Sequence, residues 1–201
     1  MRIVLIGVNG TIGGLVYNQL IGQNHDVVGV GFSQGEYRVD IRKPESVHTM
    51  FSHIGKFDAL VSCVGKAYFG SFEDMELDDF YTGFENKVMG QVSLVKIGLA
   101  YINPYGSFTI TTGITCDDPI PNGTGLAMAN GALNAFVQTA AINLKNNIRI
   151  NAVSPGLLEL SASKLGQYFP GHTPVSSKKV VNAYLKSIEG KITGQIIRVQ
   201  G

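Results

Sequence analysis

An α/β fold, one parallel and doubly wound β-sheet flanked by helices over residues 1–201, is predicted by three observations. First, apolar β-branched runs of strand length alternate with amphipathic runs of helix length along the chain. Parallel strands need crossovers and the helices supply them, with right-handed connections and ligands beyond the carboxyl ends of the strands. Second, Phe57–Val64 (FDALVSCV) is almost continuously apolar, as a strand is when both faces of its sheet are covered. Third, the run Arg2–Ile6 leads directly into Gly7, Gly10 and Gly13, then into a helical pattern. Strand, glycine turn and helix make the Rossmann-type arrangement, in which side chains are absent so that backbone and helix N-terminus can approach a pyrophosphate.

The remaining elements follow in order. Thr11–Gln23 reads as a helix with Ile12, Leu15, Val16, Gln19 and Leu20 on one mostly apolar face. Asp26–Gly31 is the second strand. The residues just past it, Phe32, Ser33 and Gln34, include no acid to accept from a ribose 2′-hydroxyl, and Arg38 follows, so NAD(P) binding with a weak preference for NADP is expected. Tyr37–Ile41 is a short third strand carrying Asp40, and Pro44 opens a helix over Glu45–Ile54. Ser71, Glu73, Asp74, Asp78 and Asp79 precede a long helix running through Tyr101; with no histidine beside them they read as a helix N-terminus complementing its dipole, not as a metal site. Gly106–Thr112, Ile148–Val153 and Gln195–Val199 are further strands, and Thr124–Lys145 and Lys178–Glu189 further helices.

Composition narrows the partners. With 44% hydrophobic and 15% charged residues the chain suits a single domain with a sizeable core. A net charge of +1 with scattered Lys and Arg suggests neither a nucleic-acid nor a membrane surface, leaving a small-molecule substrate. Cys63 and Cys116 lack metal-ligand spacing and suit a reducing cytoplasm. The N-terminal apolar run is too short for a signal peptide and no later run matches a membrane span, so a soluble protein is expected.

Four stretches resemble the short-chain dehydrogenase/reductase family: IGVNGTIG at Ile6–Gly13, VSCVG at Val61–Gly65, RINAVSPG at Arg149–Gly156 and ITGQIIRV at Ile192–Val199. The three-and-three glycine spacing is that of the family's extended members. The resemblance implies cofactor contacts from Gly7, Asn9, Gly10, Thr11, Ile12 and Gly13, from Ser33 and Asp40 around the adenosine, from Cys63, Val64 and Gly65, and from Pro155, Gly156 and Leu157 at the nicotinamide end. It also implies a homodimer or homotetramer pairing through the helix Thr124–Lys145 and the final helix and strand; Ala132, Leu133, Phe136, Val137 and Ala140 suit either that interface or the sheet.

The family's catalytic pair is missing. Its Tyr-x-x-x-Lys helix aligns with GLAMANGALNAF, which puts Leu126 at the Tyr and Asn130 at the Lys; one register later the residues are Ala127 and Gly131. Leucine has no titratable proton and asparagine no charge to depress a neighbour's pKa. In ENKVMGQVSLV, Lys87 stands where the family has an Asn, so the two positions look reciprocally exchanged. The family's Ser position falls on Gly113, with the Thr112 hydroxyl one step away. Lys87 and Thr112 are therefore the candidate catalytic residues, with Tyr68, Tyr168 and His172 as alternative proton donors, the last two in the lid-like segment 157–177. Two functions fit: an atypical NAD(P)-dependent oxidoreductase acting on a small carbonyl or alcohol, or a catalytically silent dinucleotide-binding sensor or regulator.

Overall fold

The computed structural model describes residues 1–201 as one α/β unit. Seven parallel strands lie in the order β3-β2-β1-β4-β5-β6-β7, with β1 (Arg2–Ile6), β2 (Asp26–Gly31), β3 (Tyr37–Arg38), β4 (Phe57–Ser62), β5 (Ile102–Thr111), β6 (Arg149–Pro155) and β7 (Ile196–Val199). Strand order reverses between β1 and β4, the place where a doubly wound sheet opens a crevice.

Each face of the sheet has its own core. One is built with α2 (Pro44–Ile54), α4 (Gly90–Gly98) and α5 (Thr124–Ala141), around Phe51, Phe57, Leu94, Phe108, Leu133 and Val137. The other is built with α1 (Thr11–Gly22) and, beyond the one-turn α6 (Ala162–Leu165), α7 (Ser177–Glu189), around Leu5, Val16, Leu20, Val61, Tyr184 and Ile188. The expected double covering of β4 is explained by this arrangement: Leu60 packs on one side, Ala59 and Val61 on the other. Arg149 fastens β6 to α7, its guanidinium donating to the carbonyls of Ser187 and Ile188 at 2.7 Å each.

Several expected boundaries move. β3 has two residues and ends before Asp40, which lies in the turn beyond it, because only Val30 and Gly31 pair with this edge. β5 begins at Ile102; its register against β4 shifts between Phe57 and Ala59, and Tyr105 sits at φ 64°, a bulge that composition did not announce. α5 stops at Ala141, four residues short of Lys145, where the chain turns through Asn146 and Asn147, both at positive φ. β6 runs on to Pro155 because β7 continues to pair with it. The long helix is three consecutive pieces, α3 (Leu77–Gly83), a π-helical turn at Phe84–Met89, and α4. The acid at its start caps it, with Asp79 accepting from the Glu76 amide at 3.1 Å. No helix is long and apolar enough to cross a membrane.

Candidate functional site

A cleft of about 990 Å³ opens at the carboxyl ends of β1, β2 and β4. The glycine turn forms its floor. Gly7 has φ 90°, and a Cβ there would come within 2.6 Å of Val64 and 2.7 Å of the Cys63 carbonyl. Gly13 lies directly beneath, where a Cβ would be 2.0 Å from the Gly7 carbonyl oxygen. Helix α1 can therefore start flush against the end of β1 only if both residues are glycine. Gly10 is the N-cap and offers no capping side chain; the amides of Thr11, Ile12 and Gly13 bond to no main-chain carbonyl. They form a ready anion site at the helix N-terminus. A nicotinamide dinucleotide carries such an anion, so this cradle fits that cofactor.

Of the sequence-predicted binding residues, Gly7, Asn9, Gly10, Asp40, Cys63, Val64 and Gly65 line the cleft. Thr11, Ile12 and Gly13 open α1 directly after Gly10 and do not line it. Ser33 is exposed in the bend after β2 and does not line it, whereas Phe32 beside it does, with 71% of its surface open. Asn9 folds its Oδ1 over Gly31, where a Cβ would meet it at 2.4 Å. Pro155 is buried, and Gly156 and Leu157 line a separate hollow of about 210 Å³ with Ile114 and His172. They are held there because the Gly156 amide bonds Val199 and the Leu157 carbonyl accepts from Val175.

Arg42, Lys66 and Asn86 line the cleft and were missed. Arg42 grips Asp40 through two hydrogen bonds of 2.7 and 2.8 Å, and this guanidinium holds the Asp40 carboxyl below its usual value. The spacing D-x-R was the available signal. Asn86 accepts from the Lys66 amide at 2.8 Å and fixes the loop after β4. Cys63 has its thiol turned toward Tyr184 and Thr111, and burial pushes it up to about 12.

Farther along the strand ends stand Lys87 and Asn130. The π-helical turn delivers Lys87, whose stem lies over Gly65: a Cβ on Gly65 would be 2.8 Å from Lys87 Cγ. Lys87 is only 7% exposed, and its Nζ lies 3.5 Å from the Thr112 carbonyl. Burial lowers its ammonium to about 8. Asn130 is buried on α5 and donates to Thr115 Oγ1 at 3.0 Å, with its Nδ2 against Gly113. Leu126 is half-buried. The Thr112 hydroxyl, expected to orient a carbonyl, is buried and lies 3.4 Å from the Val153 carbonyl, facing β6. Among the alternative donors Tyr68 lines the cleft, Tyr168 packs edge-on against Phe69 at 4.9 Å, and His172 pairs with Asp118 at 3.5 Å.

A family model described as enoyl-(acyl carrier protein) reductase matches residues 22–200. The crystal structure of the protein lin1944 from Listeria innocua is 41% identical, with a TM-score of 0.96 and 98% of each chain covered. A small-chain dehydrogenase solved in complex with NADPH is 29% identical, with a TM-score of 0.88 over 100% of this chain and 96% of that one. General stress protein 39 of Bacillus subtilis is 29% identical over 172 residues, 78% of this chain and 60% of the relative. The NADH-dependent enoyl-[acyl-carrier-protein] reductase of Rickettsia conorii is 28% identical over 142 residues, 65% of this chain and 54% of the relative. The chain thus spans little more than half the length of these curated relatives.

Proposed function

The chain belongs to the short-chain dehydrogenase/reductase family, and we propose that it binds a nicotinamide dinucleotide and reduces a small carbonyl or enoyl compound. The observation that carries this reading is the glycine cradle, Gly7 over Gly13, at the floor of a cleft on the sheet's switch point. The amides of Thr11, Ile12 and Gly13 would hold the diphosphate. Asp40 and the Phe32–Ser33 bend would flank the adenosine, Cys63–Gly65 would form the wall, and Pro155–Leu157 would stand at the nicotinamide end. When bound, the cofactor supplies the hydride. The protein's part is to position it, exclude water and manage the proton, with Lys87 as the residue at the reacting end; the Thr112 hydroxyl, turned to the Val153 carbonyl, is left out of that role.

NADP over NAD is the preferred reading, supported by the absence of an acid just past β2 and by the NADPH-bound relative. A homodimer or homotetramer and a cytoplasmic setting belong to the same proposal. The second reading, a silent dinucleotide sensor, is favoured by Leu126 and Asn130 at the family's Tyr and Lys positions. Thermal unfolding with NADPH or NADH tests the binding: at one hundred times Kd the midpoint should rise by about 5–10 °C with NADPH. No shift with either nucleotide ends both readings. Binding without turnover across a panel of ketones, aldehydes and enoyl thioesters leaves the silent one.

A further inference from the structure

Three buried side-chain atoms have no hydrogen-bond partner: Asn130 Oδ1, Asn134 Oδ1 and Ser154 Oγ. All three adjoin one short segment, Thr112–Cys116. Asn130 reaches it through Thr115, and Asn134 through Cys116, to whose sulfur its Nδ2 donates at 3.1 Å. Ser154 follows Val153, whose carbonyl accepts from the Thr112 amide at 2.9 Å. Lys87 ends at the same segment, with the 3.5 Å contact to the Thr112 carbonyl as its one side-chain hydrogen bond. None of the five ion pairs includes it. A buried cation without a counter-ion is costly, and so is a buried oxygen without a donor. Lys87 and the Asn130 carboxamide thus meet the segment that follows β5 at Thr112 and Thr115, and the Lys87 stem lies against Gly65 of the cleft wall.

The deficits are complementary to one kind of occupant. Lys87 offers N–H donors to an oxygen carrying negative charge, and the orphan carboxamide and hydroxyl oxygens accept from that oxygen once it is protonated. Building on the reductase reading above, we propose that Lys87, with Asn130, forms the seat for the substrate oxygen that becomes anionic on reduction, and that Lys87 donates the proton. In that step the substrate carbon accepts a hydride from the reduced nicotinamide nucleotide and the carbonyl π pair moves to oxygen. One N–H bond of Lys87 breaks as the O–H bond forms. The substrate gains two electrons, the nucleotide is oxidised, and the amine left on Lys87 recovers a proton from solvent. An ammonium lowered by burial to about 8 gives and regains a proton near neutral pH, which suits the role.

Binding of a charged probe tests the seat without requiring a known substrate. With NADP⁺ saturating, acetate should bind the wild type about tenfold tighter than its neutral isostere acetamide. In Lys87→Met the preference should fall to about unity while NADP⁺ affinity stays within about twofold of wild type. Asn130→Asp, which places a carboxylate against the same segment, should also abolish the preference, and it decides the matter if Lys87→Met does not fold. Acetate preference unchanged in the variants, or absent from the wild type, overturns the seat while leaving the cofactor reading intact. Failure of NADP⁺ to bind at all removes both.

Discussion

Lys87 is costly to the fold that contains it. The unfolded chain keeps this proton up to about its ordinary value of 10.5, whereas the folded chain releases it near 8. Between those values unfolding takes up a proton, so this residue's contribution to stability rises with pH; below about 8 its desolvation penalty is fully present. Lys87→Met should therefore be more stable than wild type at pH 7, by about 2 kcal/mol. The gap should close as pH rises from 8 toward 10.5, read by denaturant unfolding of both proteins at each pH. A gap independent of pH would mean that the folded protein keeps this ammonium charged. Legibility at this scale was uneven. That Lys87 stands three residues before Gly90, and Asn130 four after Leu126, was legible, because the resemblance aligns these helices position by position. That the Thr112 hydroxyl faces Val153 was not visible, because a side chain at the end of β5 can point into the cleft or into the sheet and only β6 decides which.

At the level of elements the glycine turn makes the sharpest prediction, since Gly13 and Gly14 adjoin in sequence but meet different surroundings. A methyl group on Gly13 would be driven into the Gly7 carbonyl at 2.0 Å, whereas one on Gly14 would touch the Val8 carbonyl at an ordinary 3.6 Å. Gly13→Ala should lose about 1–3 kcal/mol of stability and weaken NADPH binding at least about tenfold, by pushing α1 off β1. Gly14→Ala should keep binding and gain up to about 1 kcal/mol from helix propensity. Urea unfolding and NADPH fluorescence titration check both, and equal behaviour of the two variants would contradict the cradle. The elements that the sequence revealed best are those with a local cause: the glycine spacing, Pro44 at the start of α2, and the apolar run of β4. The π-helical turn has a tertiary one. Gly83 packs on Ala67 and Gly90 on Ile41, where a Cβ would come within 2.6 Å, so the helix widens between two glycines pinned to different neighbours. No periodicity in Phe84–Met89 reports that.

For the molecule as a whole, the two cores settle which side of α5 is occupied and which is free. Leu133 and Val137, which suited either an interface or the sheet, are fully buried against the sheet, while Ala132, Phe136 and Ala140 remain partly open. Open apolar surface also gathers on the elements around Lys87: Leu77 is 74% exposed, Tyr81 70%, Met89 47% and Met128 43%. The π-helical turn bearing Met89 packs against α5 bearing Met128, so a second copy docking there would bury both helices and stiffen the turn that carries Lys87. A homodimer or homotetramer formed on this layer predicts that Met89→Glu combined with Met128→Glu, two charges in place of exposed apolar side chains, yields a folded monomer. Light scattering coupled to size exclusion reads the mass, and circular dichroism confirms the fold. A double variant that keeps the wild-type mass would move the interface off this layer, and a wild type that already elutes as a monomer would leave the stiffness of that turn to α5 and Ile41 alone.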